Sequence, residues 1–236
     1  MSGHLENSDL LIVLGGDGSM LRAARLTANH KIPLLSINMG RLGFLAEVQP
    51  AEWPDRVQQA MAGDYWIEER MMVSAGHHRA GELLNSYEAL NEVVISRGQF
   101  ARVIRMNIFI DGGFLTTITA DGLIMATATG STAYALAAGG PILPPELQNI
   151  LLIPLAPHLS LDRGVVLSKG VTVRVEISTD HTAALTVDGQ FEIELTDGDE
   201  IILQASPSVG RFVRLQERTY FYRTLMRRLG FQTGKR

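Results

Sequence analysis

The stretch Leu10-Leu11-Ile12-Val13-Leu14-Gly15-Gly16-Asp17-Gly18-Ser19 sets an apolar run directly against a glycine-rich turn. Five consecutive apolar residues read as a short strand buried on both faces, and Gly15-Gly16 end it. Beyond the turn, residues 20–29 have helical character, with Leu21, Ala24 and Ala28 on one face. Residues 32–37 read as a second strand. Residues 50–61, with Pro54 near their start and Val57, Ala60 and Met61 as the apolar set, read as another helix. Alternating strands and helices predict an α/β layer over a parallel sheet.

Past Tyr65 the period changes and strands dominate. They are expected at 67–74, 87–96, 103–111, 114–119, 123–127, 165–167, 171–177, 183–187, 191–195, 200–204 and 212–215. Asp111-Gly112-Gly113, Asp188-Gly189 and Asp197-Gly198 are hairpin-type turns between them. Residues 219–229 form an amphipathic stretch that Gly230 ends, a last helix. The expected division is an α/β domain from 1–70 with 217–236, and a β-rich domain from 71–216.

Composition narrows the function. The 236 residues are 46% hydrophobic and 19% charged, an ordinary globular balance. Lys plus Arg count 21 against 25 Asp plus Glu, a net charge of −4, which argues against duplex nucleic acid or an anionic membrane as partner. There is no cysteine, so disulfides, thiolate nucleophiles and Cys-based metal sites are excluded. No stretch approaches the roughly 20 apolar residues of a membrane helix, and the first nine residues lack a signal-peptide core. The expectation is a soluble cytoplasmic protein. No His-x-x-x-His spacing and no G-x-S-x-G turn occurs, and no protein metal site is expected.

Three segments carry chemistry. Gly15-Gly16-Asp17-Gly18-Ser19 lets the backbone approach a ligand closely, and the helix amides after it can hold phosphate; the plain alternative is a tight turn with an Asx-type bond. Asn91-Glu92 interrupts an apolar run, so the carboxylate faces a cleft, finds a partner, or sits at a strand edge in solvent. Thr127-Ala128-Thr129-Gly130-Ser131-Thr132-Ala133-Tyr134 follows Asp121-Gly122 as a hydroxyl-rich turn into a short helix. Thr129 or Ser131 can cap that helix, its amides can receive an anion, and Tyr134 offers a flat face for a base; the alternative is a capped helix with nothing bound. His158, in a Pro-rich loop, reads as structural, and the basic C-terminal cluster as a solvated helix face and tail.

In order along the chain, GGDGS at 15–19, NE at 91–92, DG at 121–122, TGSTAY at 129–134 and GGP at 139–141 resemble the ATP-NAD kinase family in its bacterial form. PHLS at 157–160 and DGQ at 188–190 extend the resemblance, which runs from about residue 10 to the C-terminal helix. GGDG alone is shared with diacylglycerol-type lipid kinases and phosphofructokinases; the conjunction with NE and TGSTAY is specific.

The resemblance implies transfer of the terminal phosphoryl group of ATP, or of inorganic polyphosphate, to the adenosine ribose 2′-hydroxyl of NAD, giving NADP. A divalent ion, Mg²⁺, would neutralise the phosphates. It implies Asp17 as the general base and Gly16 and Gly18 on the phosphate side. Asn91 and Glu92 would hold the adenosine end of NAD. Asp121, Thr132, Ala133 and Tyr134 would surround the base pockets, with Thr119 and Thr129 close by. Arg22, Arg102, Ala137 and Gln190 would be further nucleotide contacts, and Phe44 an apolar wall. It also implies a β-sandwich-like second domain, a last helix returning to the first domain, and a homodimer or homotetramer with sites completed across subunits.

Several positions depart from the family pattern. No β-α unit stands ahead of the strand that enters GGDGS, which would leave an apolar edge or face open. Ala128 stands where the family has Pro, Pro144 where His is common, Gly164 where Pro follows the Arg, and Thr119 where a basic residue is frequent. Two alternatives stay open: another GGDG-type kinase acting on a lipid head group or small alcohol, and a sensor that binds pyridine nucleotides without turnover.

Overall fold

The computed structural model describes residues 2–40, 43–98, 102–158 and 162–228. After a 3-10 helix at Ser2–Asn7 come β1 (Leu11–Gly15), α1 (Asp17–Thr27), β2 (Leu34–Asn38) and α2 (Trp53–Met61). The strands β3 (Trp66–Arg79), β4 (Glu82–Ala89), β5 (Glu92–Arg97), β6 (Ile104–Ile110), β7 (Gly113–Ala120) and β8 (Gly122–Thr127) follow. After the short α3 (Tyr134–Ala137) come β9 (Asn149–Leu155), β10 (Val165–Ser168), β11 (Val173–Ser178), β12 (Ala183–Val187) and β13 (Phe191–Leu195). The long β14 (Glu200–Arg214) and α4 (Tyr220–Arg228) close the described chain. The chain divides into two compact units, Met1–Arg70 with Val209–Arg236, and Met71–Ser208.

The first unit is α/β. β1 pairs parallel with β2, and β2 meets the end of β14, also parallel, at Leu34 and Phe212. α1 packs on β1 and β2 through its buried face of Met20, Leu21 and Ala24. Leu35, Ile37, Val48, Ala60, Val213 and Leu215 form a second apolar layer. The expectation that β1 is buried on both faces is not met. Ile12 and Leu14 are 41% and 65% exposed, and with Met39, Trp53 and Val57 they line an open apolar groove. A run of apolar residues shows what a strand could bury, not whether a neighbour covers it. Among the described strands β1 pairs only with β2, at the end of the sheet.

The second unit is a β-sandwich. One sheet carries β14, β11, β6 and β7 in that order, with β3 pairing β14 and β4; the other runs β10-β9-β8-β5-β12-β13. Their inner faces share one core in which Val73, Met106, Ile118, Val175 and Leu203 meet Val93, Ile95, Leu123, Met125 and Leu185. On the outer face of the second sheet, Val94, Ile124, Leu151 and Ile153 pack against Ala135 of α3.

Three strand expectations need correction. Residues 87–96 are two strands broken at Leu90-Asn91, and the first of them pairs back on an extended β3 through Ala80 and Gly81, both at positive φ. Glu200–Arg214 form one strand where two were expected, and it runs unbroken through Ser206-Pro207-Ser208 and Gly210. The strand β9 was not among those expected, and it carries Pro154. Pro154 lies past the end of β10, where no neighbour asks for its missing amide proton.

Candidate active site

The functional candidates fall in both units. In the first, Gly15 ends β1 and Gly16 turns the chain in an extended conformation, so that Asp17 becomes the first residue of α1. Its carboxylate accepts two backbone hydrogen bonds from a loop 27 and 28 residues away. Phe44 N donates to Oδ2 at 2.8 Å and Leu45 N to Oδ1 at 3.1 Å. The loop lies so close that a Cβ on Gly43 would sit 2.2 Å from the carboxylate. Around Gly16 and Gly18, in contrast, a Cβ would meet nothing within 4 Å, so the backbone there is open to a ligand. Arg22 projects exposed from α1, and Phe44 is half-buried.

In the second unit three sequence segments converge. Asp188, at positive φ after β12, is 5% exposed, and its carboxylate accepts from the amides of Leu90 at 3.1 Å, Asn91 at 2.8 Å and Glu92 at 3.2 Å. Its own amide returns to the Glu92 carbonyl. This latch bends the chain between β4 and β5 and presents Asn91 and Glu92 side by side. The TGSTAY turn packs directly on them. A Cβ on Gly130 would fall 2.1 Å from the Asn91 carbonyl oxygen, so only glycine permits the approach. Thr127 Oγ1 donates to the Leu90 carbonyl at 2.6 Å and accepts from the Gly130 amide at 3.2 Å.

The capping expectation is therefore corrected. The hydroxyl that receives the turn's amide is Thr127, not Thr129 or Ser131, because Ser131 Oγ is committed to the Ala128 carbonyl and the Leu143 amide. The helix that was to receive an anion is a single 3-10 turn, Gly130–Thr132, then the four residues of α3, separated by the non-helical Ala133. Ala128 is buried in this turn, whereas Tyr134 is 47% exposed and Ala137 lies beside it on the open side.

Glu92 is 7% exposed, and its Oε2 has no hydrogen-bond partner. Burial, reinforced by the negative charge of Asp188, pushes its carboxyl up to about 8. At neutral pH this side chain is mostly protonated. Protonated, it offers both a donor and an acceptor beside Asn91.

The remaining expected contacts lie in more exposed positions of the second unit. Asp121 pairs with Arg97 at 3.0 Å, Arg102 pairs with Asp180 at 3.3 Å, and Gln190 is exposed two residues beyond Asp188. Thr119 is half-buried on β7, and its carbonyl accepts from His158 N. Of PHLS, Leu159 and Ser160 lie outside the described residues. Among the described residues, no three His, Cys, Asp or Glu side chains come together to hold a metal ion. Sequence reasoning missed Asp188, Thr127 and Gly43. Asp188 had a signal in the DGQ turn, and Thr127 in the hydroxyl-rich segment.

The ATP-NAD kinase N-terminal domain model matches residues 3–65, and the ATP-NAD kinase C-terminal domain model matches residues 90–215. The chain belongs to the ATP-NAD kinase family. Its activity class is that of the family, an NAD kinase, a phosphotransferase with an alcohol group as acceptor. NAD kinase from Chloroflexus aurantiacus is 48% identical over 221 residues, 94% of this chain and 80% of that one. NAD kinase from Heliobacterium modesticaldum is 44% identical, over 92% of this chain and 77% of that one. Among solved structures, yeast NADH kinase complexed with NADH superposes with a TM-score of 0.88 at 32% identity, covering 97% of this chain and 68% of that one. An NAD kinase from Archaeoglobus fulgidus in complex with ATP superposes with a TM-score of 0.80 at 30% identity, over 95% and 84%. The α/β first unit, the β-rich second unit and the C-terminal helix are the architecture of these kinases. No helix of the described chain is long and apolar enough to cross a membrane.

Proposed function

We propose that this chain moves the terminal phosphoryl group of ATP to the 2′-hydroxyl of the adenosine ribose of NAD, with Asp17 as general base. The observation that carries the reading is the Asp188 latch, which sets Asn91 and Glu92 beside the TGSTAY turn and leaves a buried Glu92 carboxyl oxygen without a hydrogen-bond partner. A ribose is the group that this arrangement suits. Its vicinal hydroxyls donate and accept, as Glu92 does, and Asn91 supplies an amide beside it.

The proposed step balances as follows. The ribose 2′-oxygen bonds to the γ-phosphorus, the bond from that phosphorus to the bridging β–γ oxygen breaks, ADP leaves, and the hydroxyl proton passes to Asp17. Two amide hydrogen bonds use two of the roughly four lone-pair positions of a carboxylate, so Asp17 keeps a free one for that proton. The open backbone at Gly16 and Gly18 and the amides at the start of α1 suit phosphate oxygens. The ATP-bound Archaeoglobus kinase and the NADH-bound yeast kinase support the choice of donor and acceptor. Polyphosphate is the second donor on the same reading.

Mg²⁺ is read as part of the metal–nucleotide substrate, bound through phosphates. Arg22, Phe44, Arg102, Thr119, Asp121, Thr129, Thr132, Ala133, Tyr134, Ala137 and Gln190 belong to the proposed nucleotide contacts. A homodimer or homotetramer working in the cytoplasm completes the proposal. The test is a coupled assay: NAD, Mg²⁺ and ATP or polyphosphate, with NADP read by an NADP-specific dehydrogenase. NADP formation is expected. NAD binding by calorimetry without NADP would instead favour a nucleotide sensor, and no binding would favour another GGDG-type kinase.

A further inference from the structure

Arg214, near the end of β14, is 7% exposed and takes no part in the proposed chemistry. A guanidinium withdrawn from water is costly unless every donor is matched. Two of its matches are charged: Nε and Nη2 reach Glu68 Oε2 at 2.8 and 2.7 Å, and Nη1 lies 3.4 Å from Glu47 Oε2. Arg70 shares Glu68 at 2.9 Å, which makes a neutral quartet of two arginines and two glutamates. Both guanidiniums lie 5.4 Å from the centre of the Phe212 ring. Burial alone would raise the Glu68 carboxyl, but the two neighbouring guanidiniums override it and hold the group at about 2.

The remaining acceptor of Arg214 carries no charge. Nη1 donates to the carbonyl of Leu45 at 2.9 Å. Leu45 is the residue whose amide holds Asp17 Oδ1. The peptide groups on its two sides are therefore tied to Asp17 and to Arg214. Two residues on, Glu47 accepts from the Leu215 amide through its other oxygen, and its own amide donates to Ser36 Oγ. Ser36 Oγ in turn reaches the Leu45 carbonyl at 3.5 Å. The segment 45–47 is thus bolted to β2 and β14, and the Asp17 carboxylate is hung from it.

We propose that Arg214, braced by Glu68 and Glu47, is a positioning residue for Asp17, acting through the Leu45 peptide groups. This rests on the reading of Asp17 as the base. A core with only a stabilising duty could be built from apolar side chains. The use of one guanidinium donor on a loop carbonyl next to the Asp17 anchor is what a placement duty requires.

The test is a double-mutant cycle in kcat between Arg214→Lys and Asp17→Asn, with NAD affinity by calorimetry and far-UV circular dichroism on each variant. Lys keeps the positive charge but cannot span Glu68, Glu47 and the Leu45 carbonyl together. Arg214→Lys is expected to lower kcat roughly tenfold to a hundredfold, with NAD affinity unchanged. In the Asp17→Asn background the same change is expected to alter kcat less than about threefold, because coupled residues fail to add. Losses that multiply, or full kcat in a folded Arg214→Lys protein while Asp17→Asn is inactive, would overturn the inference and leave the base reading standing. An Asp17→Asn protein that keeps more than roughly a tenth of its rate would overturn the base reading, and this inference with it. Should Arg214→Lys not fold, Ser36→Ala removes the second hold on Leu45 and Glu47 without touching a charge. It is then expected to give a smaller kcat loss that disappears in the Asp17→Asn background, and a loss of equal size in both backgrounds overturns the inference.

Discussion

Asp17 and Asp188 are two carboxylates that perform the same local task in different surroundings. Each accepts several backbone amides from a segment distant in sequence, and each thereby shapes a loop. Asp17 takes two amides from Phe44 and Leu45 and remains half-buried at the start of α1, beside glycines that leave room for a ligand. Asp188 takes three, is almost fully buried, and its charge adds to the burial that pushes up the carboxyl of its neighbour Glu92. The difference is one of access. An aspartate with lone pairs to spare and an open side can take a proton, whereas one enclosed by amides can only hold a shape. Sequence presents both as an Asp-Gly pair, and the structure separates them.

The sharpest way to break this contrast is to remove one carboxylate at a time. Asp17→Asn is expected to lower kcat by about 10²–10⁴-fold, with NAD affinity little changed, in the coupled assay and by calorimetry. Asn also turns an NH₂ towards one of the two loop amides, so a modest fall in melting temperature should accompany the loss. Asp188→Ala should behave in the opposite way. Three buried amides lose their acceptor, and at about 1–3 kcal/mol for each group left unsatisfied the loss of stability is expected to reach about 3 kcal/mol in denaturant titrations. The Michaelis constant for NAD should rise with it. If Asp188→Ala spared stability and Asp17→Asn destabilised more than it slowed turnover, the roles would have to be exchanged.

How much of this was legible can be argued from the same residues. The GGDGS turn was readable because an apolar run stopping at glycines and restarting at helical spacing has few other meanings. Asn91-Glu92 was readable as an anomaly, two polar residues inside an apolar stretch. Asp188 was not, because its importance lies in amides nearly a hundred residues away, and no local pattern encodes that pairing. The same holds for Arg214, whose position in β14 looks like the end of an ordinary strand until Leu45 is placed beside it. The exposure of Ile12 and Leu14 was hidden for another reason: whether a strand's face is covered depends on its neighbours, and hydrophobicity is silent about them. β9 was not foreseen, and its Pro154 is tolerated because it lies beyond the end of the neighbouring β10.

The proposed NAD contacts can be probed one side chain at a time. Asn91→Ala removes a half-buried amide beside the latch while leaving the backbone bonds to Asp188 in place. NAD binding is expected to weaken by about 1–3 kcal/mol, the usual result of leaving a polar partner unpaired, with the melting temperature nearly constant. Unchanged NAD affinity would remove Asn91 from the site.

Glu92→Gln is the finest test of how the latch tunes its neighbour. The folded carboxyl titrates near 8 against 4.5 for the ordinary group, raised first by burial and then by the Asp188 charge. Across that window the native state binds more protons than the unfolded chain, so the stability due to Glu92 is complete below about 4.5 and is lost as pH rises through about 8. The wild-type protein should therefore lose stability relative to Glu92→Gln by at most about 1.4 kcal/mol per pH unit between those limits, and the two curves should run parallel above pH 9. Thermal melts of both proteins from pH 5 to 9 measure the difference directly. Adding Asp188→Asn, which keeps most of the latch's shape but removes its charge, should shift the wild-type curve's decline towards lower pH. Curves that stay parallel throughout would mean that Glu92 is ionised in the free protein and that Asp188 acts on the backbone alone.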